Sequence, residues 1–161
     1  MHQTPYVHRM FRDVFTGIDT RQKKAIPINE LHTLLNEDPQ SDKLRRTQAI
    51  ANLLFLFCGM PFVDLAYLEK SNLEGNMLKY NRAKTGIPMN VEILDSAATI
   101  ISQLRNKHTT VLPEHPDYLF YILSGKNKRS DEAGYKEYQS ALRCFNNDLK
   151  SLARKLCIRS S

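Results

Sequence analysis

Gly59 and Pro61, two residues apart, interrupt an otherwise helical apolar run and constrain the fold of this 161-residue chain more than any other feature. From Leu44 to Phe57, apolar residues first occupy one face and then nearly every position, the pattern of a helix that begins at the surface and ends in a core. Neither glycine nor proline suits a helix interior, so that helix must stop here. The chain resumes as a short amphipathic turn through Phe62, Val63, Leu65 and Leu68. Glu74-Gly75-Asn76 then reads as a turn, Met77 to Tyr80 as a strand and Asn90 to Ile93 as a second strand. Lys84-Thr85-Gly86 supplies the tight connection. The expected product is a buried helix end coupled to a small antiparallel hairpin that carries Lys79, Arg82 and Lys84.

The remaining segments read as helices and loops. Pro27, Asn29 and the set Leu31, Leu34, Leu35 predict a short helix ending near Asn36 to Pro39. Ser41 is expected to cap the central helix through its hydroxyl, with Asp42 at the positive end of the dipole and Arg45 and Arg46 exposed on the first turn. Asp95 or Ser96 is expected to cap a helix with Ala97, Ile100, Ile101 and Leu104 on one face, ending near Lys107. Pro113 to Asp117 is a loop, and Tyr118-Leu119-Phe120-Tyr121 is a buried aromatic anchor. Ser124 to Arg129 is a basic loop without the spacing of a phosphate-binding P-loop. Tyr138, Ala141, Leu142, Phe145, Leu149, Leu152 and Leu156 recur at three and four residues, so the last helix is long and amphipathic, with Tyr138 in the core and Arg143, Lys150, Arg154 and Lys155 on its other faces. Residues 1–24 lack a sustained period and read as a linker or arm, leaving 25–161 as one domain, mainly α with a small antiparallel β-sheet.

Charge is unevenly distributed. The net charge is +6, and residues 120–161 hold nine cations against four acids. Such a tail suits a polyanionic partner, because each lysine or arginine set against a phosphate releases a counterion; it equally suits a solvated face. No apolar run approaches the roughly 18 residues of a spanning helix, so no membrane role is expected. Cys58, Cys144 and Cys157 have no metal-ligand spacing; they read as buried, reduced thiols of a cytoplasmic protein, Cys58 and Cys144 lying in apolar helical patterns. No metal and no cofactor is implied.

The order Phe55-Leu56-Phe57, Gly59-Met60, Phe62-Val63-Asp64-Leu65 and Lys84-Thr85-Gly86 resembles the first half of the catalytic domain of tyrosine recombinases, the phage integrase family of DNA recombination, DNA integration and mobile elements. The likeness covers roughly Lys24 to Leu156 and is closest to the branch reading Gly-Met-x-Phe-Val-Asp here. It implies a DNA breaking-rejoining fold, double-stranded DNA as partner, and a homo-oligomer on DNA for a full-length protein. Lys84 matches the hairpin lysine that donates a proton to the leaving 5′ oxygen, and the resemblance places Lys79, Arg82, Lys84 and Thr85 at the DNA. Asp64 stands at the family's acidic position, which orients its neighbours.

Strand transfer in that family needs a tyrosine nucleophile, two arginines and a histidine that stabilise oxyanion charge, and the lysine donor. The first arginine would fall at Pro61, or at Cys58 in some branches, and no arginine lies between Arg46 and Arg82. No histidine is followed by arginine three residues on, and Tyr135 and Tyr138 precede the place where that motif would stand. The chain is therefore expected to be a truncated catalytic domain, entered through residues 1–24 from a DNA-clamping domain and ending before the His-x-x-Arg motif and the nucleophilic tyrosine, and inactive in strand cleavage by itself. The alternatives are a non-catalytic DNA-binding relative and a helical protein-interaction domain with an incidental basic tail.

Overall fold

The computed structural model describes residues 26–105, 117–127 and 129–158. The expected arm at 1–24 and most of the Pro113 to Asp117 loop lie outside them, and the helix expected to end near Lys107 ends at Leu104. Five α-helices and one three-stranded sheet make up the described part: α1 Ile28–Asn36, α2 Asp42–Leu56, α3 Phe62–Ala66, β1 Leu73–Glu74, β2 Met77–Asn81, β3 Pro88–Glu92, α4 Asp95–Leu104 and α5 Glu132–Lys155. This matches the expected mainly α class with a small antiparallel sheet.

Pro27 sits extended before α1, and its carbonyl accepts from the Leu31 amide at 2.9 Å. A helix end leaves carbonyls without partners. At the C-terminus of α1 they are taken by α2: Gln48 Nε2 donates to the Leu34 and Glu37 carbonyls, and Asn52 Nδ2 to that of Leu35. Ser41 opens α2 through its carbonyl, which accepts from Arg45 N at 2.8 Å. Its hydroxyl makes no cap bond, contrary to expectation. Asp42 instead pairs with Arg45, which also reaches Asp38.

The buried spine of α2 is Thr47, Ile50 and Leu53, continued by Phe57. It packs against α4 and α5. Phe55 points away and is 56% exposed, so the helix end is not buried all round. Cys58 and Gly59 then take consecutive left-handed conformations, φ 57° and 75°. Glycine adopts this region without a Cβ penalty. The reversal turns Met60 inward and Cys58 outward. All three cysteines are exposed, which corrects the expectation of buried thiols. Cys144 occupies the outer side of α5 beside the buried Phe145.

Pro61 precedes α3 with φ −63°, and its carbonyl accepts from Asp64 N and Leu65 N at 3.0 and 3.2 Å. The sheet order is β1-β2-β3, antiparallel throughout, with Leu78 opposite Val91 and Tyr80 opposite Met89. Strand β1 is additional to the expected hairpin, and β3 begins two residues before Asn90. Leu78 and Val91 face inward to join Ile50, Leu53, Phe57, Leu65 and Phe120 in one core. Helix α4 starts after Leu94, so neither Asp95 nor Ser96 is its cap.

Residues 117–120 strap the core, with Leu119 N donating to Leu68 O and Lys70 N to Asp117 O. Tyr118, Leu119 and Phe120 are buried as expected. Tyr121 is half exposed, a correction: the chain turns after Phe120, and the Arg46 guanidinium takes the Tyr121 carbonyl. Helix α5 buries Phe145 and Leu152. Tyr138 is half-buried beside Phe62 and Tyr67, at 6.3 and 5.7 Å between ring centroids.

Candidate nucleic-acid interface

The loop between β2 and β3 is closed on itself. The Arg82 carbonyl accepts from Thr85 N at 3.3 Å and Gly86 N at 2.7 Å, and the Arg82 amide donates to Ile87 O at 2.9 Å. Gly86 has φ 69°, the conformation that lets the chain re-enter β3. Lys84 and Thr85 are thereby left exposed at the apex, with Arg82 and Ile87 at the closing positions.

One contact fixes where this loop sits. The Ala83 amide donates to Asp64 Oδ1 at 2.8 Å. Asp64 is only 5% exposed and belongs to α3, which begins directly after Pro61. The hairpin loop therefore lies beside the glycine-proline corner. The other carboxyl oxygen, Oδ2, is also buried and receives no hydrogen bond among the described residues.

The expected DNA contacts divide. Lys79 lies in mid-strand with its ammonium paired to Glu74 across the β1–β2 turn. Arg82 and Lys84 are exposed and, among the described residues, form no ion pair. Two cations and the Thr85 hydroxyl are thus free to meet a phosphate.

At the root of the hairpin lies a polar cleft of about 230 Å³, lined among others by Asp64, Tyr67, Glu69, Tyr80, Asn81 and Arg129. Arg129 extends over the Tyr67 ring, Cζ 4.9 Å from its centroid, a cation–π arrangement. Burial raises the hydroxyl pKa of Tyr67, Tyr80, Tyr118 and Tyr138, that of Tyr118 to about 12. For Tyr80, the nearby Asp64 carboxyl adds to the effect. These four phenols stay neutral donors at pH 7, the opposite of an activated nucleophile.

Arg129 was not among the expected site residues. The preceding segment is held by α5: Glu137 accepts from Ser124 N at 2.6 Å and from Asn127 Nδ2 at 3.1 Å. These bonds dock the basic loop onto the helix. Nothing in the loop's spacing announces the docking. The only signal was the density of its cations.

Burial pushes the Glu137 carboxyl up, and the bonds from Ser124 and Asn127 with the nearby Lys126 ammonium outweigh it, holding the pKa below its ordinary value. With the folded value below the unfolded one, this contribution is complete above about pH 4.3 and lost as pH falls through the lower folded value. The Ser124 amide proton resonance is expected to titrate with a midpoint below the ordinary glutamate value. A midpoint above it would place Glu137 off the loop.

Among the described residues no group of three or more His, Cys, Asp or Glu side chains could hold a metal, and no helix is long and apolar enough to cross a membrane. Comparison with protein-family models, with curated proteins and with solved structures finds no match.

Proposed function

We propose that this chain binds double-stranded DNA through the Arg82 to Ile87 loop, as part of a tyrosine-recombinase-like catalytic fold. The observation that carries the reading is the Ala83-to-Asp64 hydrogen bond, which docks a loop with two unpaired cations beside the glycine-proline corner. Lys84 at the apex is the group positioned to enter a groove and, in a complete recombinase site, to give its proton to the leaving 5′ oxygen. Arg82 and Thr85 contact the flanking phosphates. Lys79 joins them by exchanging Glu74 for phosphate.

Within that fold, the observations favour binding over strand cleavage for the described residues. The two positions where the resemblance would place the first arginine hold Cys58 and Pro61, and the Pro61 carbonyl is committed to starting α3. Loss of one preorganised charge donor typically costs a factor of about 100 to 1,000 in rate. The four phenols that burial holds neutral point the same way.

Salt titration of binding to a generic duplex tests the proposal. Affinity falls with salt with a log–log slope of about −0.9 per phosphate neutralised. Arg82→Ala/Lys84→Ala is expected to reduce the slope by about 2 and to weaken binding at ~0.1 M salt by about tenfold or more. A wild-type affinity indifferent to salt would refute DNA binding.

A further inference from the structure

We propose that Lys126 and Arg129 form a second contact for the DNA backbone as phosphate-binding groups, with Glu137 holding the Ser124–Asn127 segment that carries Lys126 and the Tyr67 ring placing Arg129. The inference rests on the DNA-binding reading and adds a surface to it that the recombinase resemblance does not assign.

Three observations converge. First, the loop end and the hairpin root are walls of one cleft: Arg129 lines it together with Tyr80 and Asn81 of β2, and the chain passes directly from Asn81 into Arg82. The free cations of the hairpin and the cation of the loop are therefore neighbours on the same part of the molecule. Secondly, the Ser124–Asn127 segment is held, not trailing. Glu137 accepts hydrogen bonds from both the Ser124 backbone and the Asn127 side chain, and the Ser124 hydroxyl accepts from the Lys126 amide at 3.3 Å. A held cation loses less freedom on meeting a phosphate than one on a loose loop, so more of the interaction appears as affinity. Thirdly, Arg129 keeps its guanidinium over the Tyr67 face. The cation–π contact restrains the guanidinium, and arginine's several N–H donors suit it to phosphate oxygens.

Acidic groups also border the cleft. Asp64 is buried and accepts from the Ala83 amide at Oδ1, while Glu69 is exposed and accepts from the Ser71 hydroxyl. Neither forms an ion pair with Arg129 among the described residues.

The role of Glu137 makes a prediction whose sign opposes simple electrostatics. Glu137→Ala removes a negative charge, raising the formal net charge from +6 to +7, and long-range attraction alone would tighten DNA binding. If Glu137 positions the loop, the variant instead binds several-fold more weakly. Lys126→Ala/Arg129→Gln, a change at two exposed positions, should lower the salt slope by about 2 and the affinity at ~0.1 M salt by about tenfold. Circular dichroism of each variant confirms the fold before titration. Unchanged slope and affinity in Lys126→Ala/Arg129→Gln, or tighter binding by Glu137→Ala, while Arg82→Ala/Lys84→Ala weakens binding, would overturn the second contact alone. Salt-independent binding by the wild type would overturn the DNA reading and this inference together.

Discussion

Leu53→Ala is expected to lower the unfolding free energy by about 3–5 kcal/mol, the range found when a fully buried leucine is truncated and the site cannot collapse around the void. Leu53 has no exposed surface and lies in the stretch of α2 that packs against both α4 and α5. Leu53 shares one core with Leu65, Leu78, Ile101, Phe120 and Phe145, so closing the void would require several elements to shift together. Against a typical total of about 5–15 kcal/mol, the loss is large. For a domain of this size each kcal/mol moves the melting temperature by about 2–4 °C, so a fall of about 10 °C is expected. Phe55→Ala is the matched control, two residues along the same helix but 56% exposed, and should change stability by less than about 1 kcal/mol. Urea unfolding monitored by circular dichroism measures both. Equal shifts in the two variants would mean that the helix presents a different face to the core.

The helices and the hairpin were readable because each rests on a local rule. The period of Leu31, Leu34 and Leu35, the stripe of Phe145 and Leu152, and the Gly59-Pro61 interruption all act within a few residues of themselves, and each appears where expected. What could not be read depends on neighbours distant in sequence. Ser41 and Asp95 have good capping chemistry, yet α2 starts without the Ser41 hydroxyl and α4 already begins at Asp95, with Leu94 in the cap position. The exposure of Cys58 follows from a left-handed turn that apolar periodicity does not encode. Strand β1 has only two residues and exists because Leu73 and Glu74 pair with Leu78 and Met77.

The candidate site shows the same division. The loop cations Arg82 and Lys84 were visible as a charged turn, and their exposure follows from the turn itself. The pairing of Lys79 with Glu74 was not visible, because it requires knowing that β1 forms. Arg129 is further still from its cleft partners: Asp64 and Tyr80 are reached only once α5 has docked and Glu137 has gathered the loop. The basic tail was thus legible as charge and illegible as a surface.

The hinge between corner and hairpin can be tested at Asp64. Asp64→Ala is expected to cost about 2 kcal/mol, since leaving a desolvated donor unpaired costs about 1–3 kcal/mol and the half-buried Ala83 amide has no other acceptor among the described residues. Part of the gross loss is offset, because the variant also removes Oδ2, a buried oxygen without a donor. Asp64→Asn separates the two contributions. Its amide oxygen can replace Oδ1 toward Ala83, and no hydrogen bond is lost at the position of Oδ2, so stability should stay within about 1 kcal/mol of wild type. Hydrogen exchange of the Ala83 amide gives the local readout: protection is expected to collapse in Asp64→Ala and to persist in Asp64→Asn. DNA binding should follow the same order, because Arg82 and Lys84 remain in both variants and only their placement changes. Equal protection of Ala83 in the two variants would show that β2 and β3 hold the loop unaided, and the coupling between the glycine-proline corner and the Arg82 to Ile87 loop would then fall.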